Sequence, residues 1–103
     1  MYMQRVSIFP KPESVVEVRT LLVARAKARQ AAGLRLALSE LVAGSDTPQF
    51  TIGVRFDDLA AFEAQRKRDQ ADADFQQFVA KLTPLLRKPG AFDLLEVLAP
   101  MPS

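Results

Sequence analysis

The residues of this sequence best suited to binding a charged molecule are three arginines, each near the middle of a segment that alternates like a β-strand. Arg5, Arg35 and Arg55 are flanked in sequence by mostly apolar residues. Because side chains alternate across a strand, each arginine faces away from those neighbours. A guanidinium group offers a planar fork of donors that suits a carboxylate or a phosphate. The spacing therefore predicts a sheet with one apolar face and a second face on which arginines could bind an anion.

Small hydroxyl side chains and one carboxylate are expected beside these arginines. The same alternation places a serine or a threonine on the face of each arginine, and a glutamate of the last predicted strand joins them. The candidate ligand-binding residues are Arg5, Ser7, Arg35, Ser39, Thr51, Arg55 and Glu96. Two interpretations stay open. Either this face lines a pocket for a small anion, or Glu40 and Glu96 pair with the arginines in a polar dimer interface, since a buried charge without a partner is costly.

Three absent residue types limit the chemistry. The sequence contains no histidine, no cysteine and no tryptophan. A thiolate nucleophile, a zinc–thiolate site and a serine–histidine triad are therefore excluded, and the usual general base near neutral pH is missing. The twelve acidic residues form no cluster with ligand spacing, so we expect neither a metal nor a cofactor. No catalytic residue can be identified.

Charge and hydropathy favour a cytoplasmic protein without a nucleic-acid or membrane partner. The formal net charge of +2 is small, and basic residues do not interleave with aromatic ones. No apolar run approaches the roughly 18 residues of a membrane helix. The first residues also lack the basic and apolar regions of a signal peptide.

The hydrophobic pattern predicts one domain over residues 1–103 with a ferredoxin-like fold. Alternation predicts strands over residues 2–9, 34–42, 50–56 and 92–98. Helical periodicity predicts helices over residues 12–32, 57–68 and 72–84, and residues 100–103 are expected to fray. This order is a split βαβ (βαββαβ) arrangement of the α+β class, in which the helices cover one face of a four-stranded antiparallel sheet.

The two faces of this sheet are expected to differ. The covered face should bury Val6, Ile8, Leu34, Leu36, Leu38, Ile52, Val54, Leu95 and Val97. The uncovered face should keep Met3, Phe9, Leu41, Leu94 and Leu98 around the arginines. An apolar patch of this size usually marks an interface. We therefore expect a homodimer that packs through the helix-free sheet face, because a two-fold contact uses the same patch twice.

Two further arginines lie in an unexpected position on the first predicted helix. Arg25 and Arg29 fall within its apolar arc. Long stems can follow an apolar surface while the charged heads stay in water, and this is the expected arrangement. Contact with a ligand or a partner is the alternative.

Three parts of the sequence carry a family resemblance: the opening strand, the run from residue 18 into the strand 34–38, and the stretch 50–86. In that stretch, Asp57-Asp58-Leu59-Ala60-Ala61-Phe62-Glu63 follows a strand and precedes Phe75-Gln76-Gln77-Phe78 and Pro84-Leu85-Leu86. Together these segments resemble the dimeric α+β barrel superfamily, which includes antibiotic-biosynthesis-monooxygenase-like, EthD-like and NIPSNAP-like families. The resemblance implies the fold, a dimer and a cavity between the two sheets.

The resemblance transfers no catalytic residue. The haem-degrading branch needs a histidine iron ligand, which this sequence lacks. The oxygenase branch tends to use Trp, Tyr, Asn or His around its substrate, and Tyr2 is the only such residue here. Any catalysis would depend on an acidic substrate whose enolate an arginine stabilises.

Three hypotheses follow for the function. The favoured one is a homodimer that binds a small acidic or enolic molecule between the sheets, held by Arg5, Arg35 or Arg55. The second is a cofactor-independent monooxygenase or isomerase. The third is a structural or interaction module with a filled barrel and no ligand site.

Overall fold

A computed structural model describes residues 1–99 and residue 102 of the chain. Of the predicted tail 100–103, only Pro102 falls within the described residues. The elements are β1 (Tyr2–Ile8), α1 (Val15–Ala31), β2 (Leu36–Glu40), β3 (Phe50–Phe56), α2 (Leu59–Ala71), α3 (Ala73–Leu82) and β4 (Ala91–Glu96). Short 3₁₀ turns precede α1 and follow α3. None of the helices in the described part of the chain is long and apolar enough to cross a membrane.

The four strands form one antiparallel sheet in the order β2-β3-β1-β4. This is the α+β ferredoxin-like arrangement predicted from the sequence, which is confirmed. The pairing runs without interruption through Gly53, which lies opposite Arg5 on one side and Ala37 on the other. Gly53 therefore does not mark a bulge.

The helix ends follow from local chemistry. Gly33, with φ of 96°, ends α1 in a conformation that other residues rarely adopt. The Asp58 carboxylate accepts a hydrogen bond from the Ala61 amide at 2.8 Å and begins α2. The Asp72 carboxylate accepts one from the Asp74 amide at 2.9 Å and begins α3. Asp72 therefore separates two helices that the sequence predicted as two pieces.

The core lies between the helices and one face of the sheet. One cluster joins Val18 and Leu22 of α1 and Leu82 of α3 to Ile8 and Phe50 of the sheet. A second cluster joins Val54, Phe56 and Phe62, in which the rings of Phe56 and Phe62 meet edge to face at 5.6 Å. All three helices thus cover the same face, as predicted. Burial of these side chains supplies the main stabilising free energy.

The two faces of β4 are the reverse of those predicted. Leu95 pairs with Met3, and Glu96 pairs with Tyr2. Directly opposed residues point to the same side of the sheet, so Leu95 lies on the open face and Glu96 on the helix-covered face. The prediction that Leu95 is covered is wrong, and Val97 lies beyond the end of the strand. The reason is that β4 is an edge strand with apolar residues on both faces, so its own alternation does not distinguish them.

The open face is less apolar than predicted. Leu94 lies on the helix-covered side, and Phe9 is buried beyond the end of β1 with 7% exposure. Leu41 and Leu98 follow the ends of β2 and β4. Of the residues predicted for this patch, Met3 remains beside the arginines, and Leu95 lies opposite it.

Candidate functional site

The helix-free side of the sheet, which we call the arginine face, brings together most of the predicted site residues. A shallow depression of about 530 Å³ lies on it. Five of the seven predicted residues line this depression: Arg5, Arg35, Ser39, Thr51 and Arg55. Ser7 faces the same side opposite Thr51, but it is buried and does not line the depression.

Neither glutamate expected to neutralise the arginines does so. Glu96 lies on the other face of the sheet. Glu40 instead accepts two hydrogen bonds of 2.9 Å from Arg19 of α1. This contact holds the pKa of Glu40 below its usual value and raises the pKa of Arg19.

Two aspartates take the place of the glutamates. Arg5 donates to the Asp93 carboxylate at 3.1 Å, and Arg35 donates to the Asp57 carboxylate at 2.8 Å. The hydrogen bond and charge of Arg35 hold the pKa of Asp57 below its usual value. Asp93 could not be recognised from the sequence because its face depends on the register of β4. Two of the three arginines are thus neutralised within the chain.

Arg55 has no such partner. Its Nη2 donates to the thioether sulfur of Met1 at 3.0 Å, which is a weak acceptor. Within the described residues, no carboxylate forms an ion pair with it. Arg55 is therefore the residue of the arginine face best able to accept an external anion.

A second cavity, of about 630 Å³, lies between the other face of the sheet and the helices. We call it the helix-side cavity. Its size is typical of small-molecule sites. Its walls are mostly apolar and include Val6, Ile8, Leu22, Ala26, Leu36, Ile52, Phe75, Phe78, Val79, Leu82 and Leu86. Its charged lining residues are Arg25, Arg29, Asp69, Arg87 and Lys88, so cations outnumber acids.

Arg29 forms an ion pair at this cavity. Its Nη2 lies 3.1 Å from both carboxylate oxygens of Asp69, and Gln65 donates to one of those oxygens at 2.9 Å. The contact joins α1 to α2. The expectation that the charged head of Arg29 stays in water is therefore wrong, because a carboxylate on the facing helix binds it.

Arg25 is held much less completely. Its Nη2 lies 3.8 Å from the nearest carboxylate oxygen of Asp72, which is longer than a hydrogen bond. The centre of its guanidinium lies 5.6 Å from the ring centres of both Phe75 and Phe78. Its Nε is buried and has no hydrogen-bond partner among the residues that the structure describes. The Arg25 head also lies between helices rather than in water, contrary to expectation.

The remaining two cations fasten the loop between β2 and β3 to the cavity wall. Asp46 accepts hydrogen bonds from Arg87 at 2.8 Å and from Lys88 at 2.7 Å. Arg87 also donates to the Pro48 carbonyl at 3.1 Å, and the Lys88 Nζ lies 4.2 Å from the centre of the Phe9 ring. These hydrogen bonds hold the pKa of Asp46 below its usual value, and the one from Lys88 has a larger effect than the one from Arg87.

The contacts of Asp46 with Arg87 and Lys88 predict that the protein loses stability at low pH. Asp46→Asn should make this pH dependence smaller. Because the folded-state pKa of Asp46 lies below the unfolded value of about 3.9, its stabilisation is present above that pH. It is lost as the pH falls through the folded-state pKa. We expect the variant to have a lower melting temperature than the wild type near neutral pH, and the difference to shrink as the pH falls below about 3.9. Asp74→Asn, at an exposed acid of α3, is the control. A difference that persists unchanged to low pH contradicts the prediction.

The helix-side cavity is equipped to bind and orient a ligand rather than to move protons. Its one lining carboxylate, Asp69, is occupied by Arg29. Arginine can stabilise negative charge on a bound molecule, but its very high pKa makes it a poor base. Within the part of the chain that the structure describes, no group of three or more acidic residues could hold a metal ion.

The helix-side cavity was not predicted from the sequence. The one available signal was the presence of Arg25 and Arg29 within the apolar arc of α1. Cations on a buried helix face need partners, and here they line a cavity. The size of the cavity depends on how far the helices stand from the sheet, which the sequence pattern does not give.

Comparison with known proteins relates the chain to a fold. No protein-family model matches the sequence. No curated protein matches it either.

Solved structures do match along nearly the whole chain. An uncharacterised NIPSNAP domain protein from Burkholderia xenovorans has a TM-score of 0.82 at 20% identity, with 100% of each chain covered. A NIPSNAP-like domain protein from the same organism has a TM-score of 0.80 at 17% identity, covering 99% of this chain and 89% of the other. An antibiotic biosynthesis monooxygenase has a TM-score of 0.72 at 22% identity, covering 96% and 100%. The fold of the superfamily that the sequence resembles is therefore confirmed, and at these identities the similarity concerns the fold alone.

Proposed function

We propose that the protein binds a small, largely apolar organic molecule in the helix-side cavity. The observation that carries this proposal is the cavity itself, which holds about 630 Å³ between aliphatic and aromatic walls. A cavity of this size with a few polar groups on apolar walls is the usual form of a small-molecule site. Most of the wall comes from the sheet, α1 and α3, so the site is built on regular elements.

The proposed assembly is a homodimer that packs through the arginine face. All three helices cover the opposite side of the sheet, which leaves this face without a covering layer. The Arg5–Asp93 and Arg35–Asp57 pairs reduce the charge that such packing would bury. A two-fold contact would place the same face of a second chain against it.

A thermal-shift screen of small aromatic and aliphatic molecules tests the proposed binding. A ligand at about 100 times its dissociation constant adds roughly 2.7 kcal/mol to the free energy of unfolding. In a domain of this size each kcal/mol raises the melting temperature by roughly 4–8 °C, so the expected shift is about 10 °C or more. Absence of any shift across a panel of compounds small enough for the cavity contradicts the proposal.

A second candidate site is the space between the two arginine faces of the proposed dimer, which would hold a small acidic or enolic molecule. The supporting observation is that Arg55 makes only a contact with the Met1 sulfur. Arg5 and Arg35 would contribute less to binding, because aspartates already accept their hydrogen bonds.

Arg55→Ala separates the two candidate sites. If an acid binds between the sheets, this variant should abolish its thermal shift, because the arginine without an internal carboxylate partner is removed. If the acid binds in the helix-side cavity, the shift should be unchanged. Arg35→Ala is the matched control on the same face, since its partner is Asp57.

Two alternatives to a simple binding protein have some support. One solved structure with this fold is an antibiotic biosynthesis monooxygenase, so a cofactor-independent monooxygenase or isomerase is the enzymatic alternative. Oxygen consumption or product formation with a bound compound would distinguish it from a binding protein. The other alternative is a structural dimer whose arginine faces hold no ligand. The ion pairs of Arg5 with Asp93 and of Arg35 with Asp57 favour it.

A further inference from the structure

Resting on the proposed function of the helix-side cavity, we propose that its ligand is an organic acid and that Arg25 binds the carboxylate. The cavity wall carries four cations and one carboxylate among its lining residues. The surplus of positive charge favours an anionic ligand. The question is which cation is available to it.

Three of the four cations already form ion pairs with a carboxylate at hydrogen-bond distance. Arg29 is bound to both oxygens of Asp69 at 3.1 Å. Arg87 and Lys88 share Asp46 at 2.8 and 2.7 Å. Each of these three cations already has a carboxylate within hydrogen-bond distance that offsets its charge, whereas Arg25 has none that close in the described part of the chain.

Arg25 differs because its nearest carboxylate is already used for another purpose. One oxygen of Asp72 accepts the hydrogen bond of the Asp74 amide at 2.9 Å and so begins α3. The other oxygen lies 3.8 Å from Arg25. Arg25 can therefore turn to a ligand while Asp72 keeps its capping hydrogen bond.

The surroundings of Arg25 suit a carboxylate attached to an apolar body. The Arg25 side chain is only 20% exposed, and its Nε is buried without a hydrogen-bond partner among the described residues. An ionic hydrogen bond is stronger where water is excluded. Phe75 and Phe78, which lie against the guanidinium, also line the cavity. An aromatic or branched aliphatic acid could thus contact these rings while its carboxylate reaches Arg25.

Matched probes test this assignment. We suggest 2-naphthoate and its neutral analogue 2-naphthamide, titrated into ¹⁵N-labelled protein and followed by NMR. The wild type should bind the acid roughly tenfold to a hundredfold more tightly than the amide, the range expected for a hydrogen bond to a charged group. Arg25→Gln should remove this preference and leave the affinity for the amide unchanged. Arg19→Gln on the same helix, whose partner is Glu40, should keep the preference.

A second variant tests the competition between Asp72 and the ligand. Asp72→Asn keeps a side-chain oxygen that can cap α3 and removes the charge that faces Arg25. We expect the affinity for 2-naphthoate to rise by roughly threefold to tenfold, since the competing charge is gone, and that for 2-naphthamide to stay the same. If Arg25 serves only to join the helices, the variant leaves the ratio of the two affinities at its wild-type value.

The outcomes separate this inference from the proposed function. Equal affinities for the acid and the amide in the wild type overturn the role of Arg25 while leaving the cavity as a binding site. A preference for the acid that persists in Arg25→Gln also overturns it. Failure of both probes to bind overturns the inference together with the proposed cavity site. An acid preference that disappears in Arg25→Gln and grows in Asp72→Asn supports it.

Discussion

Thr51→Arg is expected to convert the proposed homodimer into a monomer. Thr51 lies in β3, one of the two central strands, and lines the depression of the arginine face. In a dimer that packs sheet against sheet, the new arginine of each chain would be buried next to cations that already exceed their partners. Burying an unpaired charge costs several kcal/mol. The dissociation constant should rise by at least about 100-fold.

Light scattering at micromolar concentration measures this effect. The wild type should give twice the 11.4 kDa mass of one chain, and the variant should give the mass of one chain. Val16→Arg adds the same charge at an exposed position of α1, where the wild-type residue is 70% exposed, and should remain a dimer. A wild type that runs as a single chain contradicts the proposed assembly, and an unchanged Thr51→Arg dimer contradicts the proposed interface.

Ala26→Phe is expected to abolish ligand binding in the helix-side cavity. Ala26 lies on the cavity wall in α1 and is only 8% exposed. A phenyl ring at this position would extend into the space that the ligand needs. Because the cavity measures about 630 Å³, the ring has room without overpacking the core, so the fold should survive. The affinity for any compound bound there should fall by at least about 100-fold.

The thermal shift of a bound compound measures this second effect. At a ligand concentration that gives the wild type its full shift, the shift of Ala26→Phe should fall to about 3 °C or less. Ala24→Phe places the same ring at an exposed position of the same helix and should keep the full shift. A full shift in Ala26→Phe would show that the compound binds elsewhere.

The sequence was sufficient to predict most of the fold because its main signals are local. The alternation in residues 50–56 and the glycine after α1 depend on neighbouring residues, and the structure places β3 and Gly33 as expected. The three arginines also line one depression. Arg5 and Arg55 occur in strands whose apolar neighbours decide their orientation, whereas Arg35 immediately precedes β2, which is shorter than the predicted strand 34–42. Asp58 and Asp72 begin their helices by accepting hydrogen bonds from nearby backbone amides, which is again a local interaction.

The partners of the arginines could not be predicted because they depend on register. In β4, apolar residues occur at both odd and even positions. The side of the sheet on which each residue lies is therefore set by pairing with β1 rather than by alternation within the strand. This pairing brings Asp93 opposite Arg5 and removes Glu96 from the arginine face. Glu40 lies opposite Phe50 on the helix-covered face, where Arg19 of α1 binds it. Contacts between elements distant in sequence set each of these outcomes.

The helix-side cavity is the candidate site that the sequence pattern does not predict. Its volume comes from the distance between the sheet and the helices, and Arg25, held at 3.8 Å by Asp72, lies between α1 and α3. Helical periodicity indicates which residues face inward, but not whether those residues contact the sheet. Arg25 and Arg29 are unusual as inward-facing charges, and their contacts depend on where α2 and α3 lie.

The most direct test of the proposed binding site is an NMR titration of methyl-labelled protein with 2-naphthoate. Shift changes should concentrate on Leu22, Ile52 and Val79, whose methyl groups lie on elements that line the helix-side cavity. The methyl group of Met3 lies on the arginine face and should be unaffected. Changes confined to Met3 and its neighbours, or none at all at millimolar concentration, would contradict the proposal that the helix-side cavity is the ligand site.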